Sequence, residues 1–189
     1  MTVNPVAQTE EQTHLSMQSF LQDVELKAYR IALLAVREHA DALDIMQDSM
    51  IKLVTKYEDK PSEQWKPLFY RILNNSIMDW HRKQKVRRLV HFFKTDESQT
   101  EEYVDPNPHT EDLPEEAMDK MQLQESVVTA LQGLPAKQQQ CFLLRSWEGL
   151  SVAETSLAMG CSEGSVKTHY FRAVNKLREM LGEQHDIKI

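Results

Sequence analysis

With 189 residues and 41% apolar content, the chain can bury one large core or two small ones, which excludes a wholly disordered protein. Only five glycines and few Val/Ile/Thr runs, beside plentiful Leu, Ala, Gln, Met, Glu and Lys, favour an all-α fold. The net charge of −7 argues superficially against nucleic acid, yet charge comes in blocks. Arg82–Lys94 carries six Lys/Arg and no acid, whereas Thr95–Glu116 carries nine Asp/Glu and no Lys/Arg. No run approaches the roughly 18 apolar residues of a membrane span. Met1–Gln12 lacks the basic and apolar regions of a signal peptide, so a cytoplasmic protein without membrane insertion is expected. Cys141 and Cys161 show no ligand-like spacing and read as buried or half-buried thiols in a reducing compartment.

Residues 1–15 read as a short disordered lead. Phe20, Val24, Ala28, Ile31 and Ala35 then recur with helical period. A second helix is expected over Ala42–Glu58, with Leu43, Met46, Met50, Leu53 and Tyr57 on one face. Pro61-Ser62-Glu63 gives a break and an N-cap. The pattern Phe69, Ile72, Leu73, Ile77, Trp80 runs into the basic block, although Pro67 interrupts the helix start. Three prolines and the acidic run make 95–117 an extended linker. Helical rhythm resumes at 118 and stops at Gly133, and Pro135 opens a further helix ending before Gly149. Two helical modules are therefore expected, at 16–94 and 118–181, with a tail at 182–189.

Ser151-Val152-Ala153-Glu154 has capping-box spacing, Met159-Gly160 suits a left-handed turn, and Ser162 suits the N-cap of a following helix. A short helix, a glycine turn and a longer helix is the layout that places a second helix in a major groove. Val152, Ala153, Leu157 and Ala158 are expected to pack against Val166, Tyr170, Val174 and Leu177. Ser165, Lys167, Thr168, His169, Phe171 and Arg172 then form the outward face. Hydroxyls at the helix start suit phosphate oxygens, Lys167 and Arg172 reach phosphates or guanine edges, and Phe171 either touches a thymine methyl or belongs to the core. No Gly-rich phosphate loop, metal-ligand cluster or nucleophile elbow is present, so neither catalysis, a metal nor a cofactor is expected.

Gly149–Arg178 resembles region 4 of sigma-70-family factors, and it also looks like the helix-turn-helix of LuxR-type regulators. The preceding Leu131-Gln132-Gly133-Leu134-Pro135 and the helix with Phe142 and Leu143 resemble the sigma layout, with Gln139 or Gln140 replacing its usual Arg. Ala42–Met50 resembles the region 2 helix that docks on the RNA polymerase clamp. On that resemblance Leu43, Met46 and Met50 face the core, Asp44, Gln47 and Asp48 present acceptors to a basic partner, and Met50 counts with these three among the polymerase-binding residues. Phe69–Lys83 resembles the helix that captures bases of the melted promoter strand. There Asn75, or Asn74 in a shifted register, implies base reading beside Asp79, and Arg82, Lys83, Lys85, Arg87 and Arg88 imply phosphate neutralisation. Leu68 stands where the family has an aromatic residue, and Trp65 and Trp80 read as core or as stacking platforms.

The whole resembles the extracytoplasmic function group. It implies a non-enzymatic specificity subunit that binds core RNA polymerase at clamp and flap, reads a −35 element with region 4 and a melted −10 element with region 2, and in this group is often held by an anti-sigma factor. A free-standing dimeric regulator is the alternative; it would bind a two-fold symmetric duplex without polymerase.

Overall fold

A computed structural model describes the backbone of residues 5–94 and 115–185, and the side chains of 17–87 and 122–182. Among these residues the chain is helical without strands. Helix α1 spans Pro5–Val36, so the segment expected as a disordered lead carries helical backbone from Pro5 onward. Arg37 stops it: a non-glycine residue with φ of 62° cannot continue a right-handed helix, and its N–H closes the last turn on the Leu33 carbonyl at 2.8 Å. Glu38 then caps α2 (His39–Tyr57), its carboxylate accepting from the Asp41 N–H at 2.7 Å. That backbone hydrogen bond holds the Glu38 carboxyl below its ordinary range. This early cap is why α2 begins three residues before the expected Ala42.

Helix α3 spans Ser62–Lys94 and passes through Pro67. The expected interruption does not occur. Proline in the second turn forfeits one bond to a carbonyl near the exposed N-terminus, and its ring is instead buried. The core of this first module brings together Val24, Ala28 and Ile31 of α1, Ile45, Met46 and Leu53 of α2, and Trp65, Phe69, Leu73 and Ile77 of α3. Phe20 stands edge-on to Phe69, 6.1 Å between ring centres, and tilted against Trp65 at 6.0 Å. Trp65 is thus core, not a stacking platform, and Trp80 lies half-buried against the His81 ring.

The expected acidic linker lies outside the described residues except at its end, where α4 (Glu115–Gln132) already starts. Gly133 and Leu134 turn the chain into α5 (Ala136–Phe142), tied back by the buried Gln139 amide donating to the Leu131 carbonyl at 2.9 Å. Leu143–Trp147 form a π-helical turn, closed by the Glu148 N–H on the Leu143 carbonyl at 3.0 Å. Then come α6 (Val152–Met159) and α7 (Glu163–His185), the latter running past the expected start of the tail. Cys141 is sealed among these helices, its thiol donating to the Val166 carbonyl at 3.3 Å, and burial pushes its pKa up to about 11. The two modules lie against each other, α3 on α6 and α1 on α4. Among the described residues, no helix is long and apolar enough to cross a membrane, and no three metal-ligating side chains cluster.

Candidate nucleic-acid interface

The α6–α7 unit is built by local hydrogen bonding. Ser151 Oγ accepts from the Glu154 N–H at 3.1 Å while the Glu154 carboxylate accepts from the Ser151 N–H at 2.7 Å, a complete capping box. These bonds from Ser151 hold the Glu154 carboxyl below its ordinary range. Their stabilisation is therefore full above the unfolded carboxyl range and fades as pH falls through the lowered folded value. At the far end Gly160 sits at φ 61°, ψ 40° and reverses the chain. Ser162 Oγ accepts from the Ser165 N–H at 3.1 Å and starts α7. A side chain at Gly160 meets no neighbour but must adopt the left-handed conformation. Gly160→Ala should therefore cost about 1–2 kcal/mol, read as a lower urea midpoint at unchanged slope.

The seam between α6 and α7 contains Thr155, Ala158, Val166, Ala173 and Leu177. Leu157, expected in it, is 57% exposed, and Thr155 takes the inward position with its hydroxyl donating to the Ser151 carbonyl at 2.8 Å. Threonine was missed because a hydroxyl that can satisfy itself on the preceding turn is as buriable as an aliphatic group. Of the expected outward face, Lys167, Thr168, Phe171 and Arg172 are exposed together, spaced i, i+1, i+4, i+5 on one stripe of α7. Phe171 is 67% exposed, which removes its reading as a core residue. Ser165 is half-buried and engaged with Ser162 at 2.9 Å. His169 departs from the stripe: it is half-buried, turned towards the first module. Tyr170 is held inside by stacking on Phe142 and by its hydroxyl 3.0 Å from Ser146 Oγ, with the Arg145 guanidinium 5.8 Å over its ring.

On α2, Asp44, Gln47 and Asp48 are exposed, and Asp48 lies 4.0 Å from Lys52. The inward stripe is Ala42, Ile45, Met46, Ser49 and Leu53. Leu43, expected inside, is 42% exposed and Met50 only half-buried. Helical phase explains the difference: Leu43 and Met50 each lie one position off the buried stripe, where Ala42 and Ser49 stand instead, and Ser49 is buriable because its hydroxyl donates to the Ile45 carbonyl at 2.6 Å. The outcome is a face that the sequence did not reveal, with exposed Leu43 and Ile51 flanking Asp44, Gln47 and Asp48.

On α3 the two asparagines part. Asn75 is exposed, whereas Asn74 is 6% exposed and accepts a hydrogen bond from the Gln140 amide of the second module. Asp79 is bridged by Arg82 at 2.8 Å. Lys83, Lys85 and Arg87 are exposed, and the Arg88 side chain lies outside the described residues. His81 is partly buried, and this desolvation lowers its pKa and favours the neutral ring. Between the modules opens a polar cleft of about 420 Å³ that brings Asn74, Asn75 and Arg82 opposite Lys137, Gln140 and His169.

Comparison with known proteins agrees with this layout. Residues 18–87 match the family model for sigma-70 region 2, and residues 124–177 match that for sigma-70 region 4. RNA polymerase sigma factor SigV of Bacillus subtilis is 30% identical over 157 residues, covering 82% of this chain and 85% of its own. The RNA polymerase sigma-E factor of Streptomyces antibioticus is 29% identical over 77% of this chain and 73% of its own. ECF sigma factor BldN of Streptomyces coelicolor is 28% identical over 81% of this chain. In fold, the chain is similar to the sigma factor RpoE of Bartonella quintana, solved with the anti-sigma factor NepR, at a TM-score of 0.59 and 23% identity over 89% of this chain and 99% of that one. With both regions matched and relatives of this kind along most of its length, the protein belongs to the sigma-70 family of RNA polymerase sigma factors, in its extracytoplasmic function group.

Proposed function

We propose a division of labour within this sigma factor, which binds core RNA polymerase in the cytoplasm and directs it to specific promoters. The exposed α7 stripe of Lys167, Thr168, Phe171 and Arg172 enters the major groove of the −35 element, and Ser165 and His169 flank it. Asn75 reads a base of the melted −10 strand with Asp79 and Arg82 beside it, and Lys83, Lys85, Arg87 and Arg88 hold its phosphates. Asp44, Gln47 and Asp48, bordered by Leu43, Met50 and Ile51, dock on the polymerase clamp, and the second module meets the flap. The protein acts as a specificity subunit without chemistry of its own, and a partner like the anti-sigma factor NepR of the RpoE structure holds it inactive. The observation that carries this reading is the coexistence, on one chain, of an exposed cationic helix-turn-helix stripe and an exposed acidic α2 face.

Run-off transcription with core polymerase tests it: promoter-dependent product is expected from a subset of genomic fragments. Its absence from every fragment, together with tight binding to a two-fold symmetric duplex, would favour the dimeric regulator. Replacing Asp44 and Asp48 together by alanine should weaken core-polymerase binding about 10-fold. Both side chains are exposed and their loss should leave the melting curve unchanged, so a fall in stability instead of affinity would remove the docking role.

A further inference from the structure

We propose that Glu148 is a latch that closes the two modules onto each other, so that the free protein rests in a state unable to hold a promoter. The π-helical turn Leu143–Trp147 ends at Glu148 and turns its carboxylate inward, where the side chain is 1% exposed and neither oxygen has a hydrogen-bond partner. The groups around it come from the other module. Lys27 Nζ of α1 and Lys66 Nζ of α3 each lie 3.9 Å from Oε2, and Lys66 also donates to the Glu148 backbone carbonyl at 2.7 Å. The Tyr70 phenol of α3 completes the pocket. Its own burial first, and then the neighbouring Glu148 carboxylate, hold it protonated far above the ordinary phenol range. Arg37 adds a second tie, donating to the Gln132 carbonyl at 2.9 Å.

A carboxylate withdrawn from water regains little net energy from two ammonium groups beyond hydrogen-bond distance. Such a pairing selects which faces meet more than it holds them together. Leaving one partner unpaired, by contrast, is costly. The closed form is therefore specific and poised to open.

Its consequence rests on the proposed promoter-reading roles. In the closed form Gln140 occupies Asn74, and His169 faces Asn75 and Arg82 across the cleft. The −10 and −35 elements are named for positions about 25 base pairs apart, roughly 85 Å of duplex. In the closed form Asn75 of α3 and His169 of α7 line one and the same cleft, so the two reading surfaces lie far closer together than that. Modules in contact cannot engage both elements, so the latch must release when polymerase is bound.

Small-angle scattering of the full chain tests the latch without DNA or polymerase. Glu148→Lys, which sets a third ammonium against Lys27 and Lys66, should raise the radius of gyration by roughly a fifth over the compact value. Combining it with Lys27→Glu and Lys66→Glu should return the compact value. The isosteric Glu148→Gln should open the protein partially and serves where Glu148→Lys fails to fold, judged by circular dichroism. Compact scattering from folded Glu148→Lys, or from folded Glu148→Gln where it stands in, overturns the proposal, as does wild-type protein already as expanded as the variant. Opening in these variants without promoter-directed transcription by the wild type would sink the function while leaving the latch intact.

Discussion

Phe69→Ala is expected to destabilise the first module by about 3–5 kcal/mol, the cost of emptying a fully enclosed aromatic site. Phe69 has no exposed surface and meets two rings, Phe20 edge-on at 6.1 Å and Tyr70 at 5.2 Å between centres. Removing it strips Tyr70 of its ring partner and Phe20 of one of two, and leaves a void between α1 and α3 that two long helices cannot collapse without shifting Trp65. Against a typical domain stability of about 5–15 kcal/mol, that loss is a third or more of the total. Urea unfolding followed by tryptophan fluorescence reads it out, because Trp65 is 2% exposed in the same core while Trp147 of the second module is 39% exposed. The transition reported by Trp65 should move to lower urea. A shift equivalent to less than 1 kcal/mol would mean that the three-helix core is not organised around Phe69. Since α2 rests on this core, the acidic face should lose polymerase affinity in parallel, a coupling that surface variants such as Asp44→Ala lack.

Features carried by neighbours in sequence were legible. The capping box, the left-handed Gly160 and the Ser162 cap depend on residues within three positions of one another, and each stands as the spacing implied. Helical phase was legible to within one residue, which suffices to find α2 but not to orient it: the stripe through Leu43 and Met50 is rotated from the true one through Ala42, Ile45 and Ser49. The difference bears on the proposed docking surface, since it puts Leu43 on the exposed acidic face. What could not be read was everything set by the meeting of the modules. Asn74 and Asn75 are chemically equal in sequence, and only Gln140, 66 residues away, distinguishes them. His169 shares the composition of a groove-facing residue but is turned into the cleft by the same packing. Glu148 carries no local sign of burial, because the groups that receive it, Lys27, Lys66 and Tyr70, are scattered through two other helices.

Arg172→Ala is expected to weaken promoter binding by about 1–3 kcal/mol, and Lys167→Ala to act mainly through salt dependence. Both side chains are exposed on the same stripe, yet their chemistry differs. A guanidinium can pair with two acceptors of a guanine edge, so its loss should fall on one base position and relax discrimination there. An ammonium acts as a point charge on phosphate, so Lys167→Ala should weaken all sequences alike and reduce the slope of log affinity against log salt by about 1. Phe171, between them on the helix and 67% exposed, is the proposed source of an apolar contact that neither cation can make. Electrophoretic mobility shifts on a matched promoter and on single-base variants, at three salt concentrations with polymerase present, separate these effects. Equal losses on every sequence for Arg172→Ala would reassign it to phosphate contact and move base reading to Thr168 and Phe171. No loss for either variant would take α7 out of the groove altogether. Combining Lys167→Ala with Arg172→Ala also bears on the resting state: neither residue lines the cleft between the modules, so the double variant should lose promoter affinity while keeping wild-type compactness.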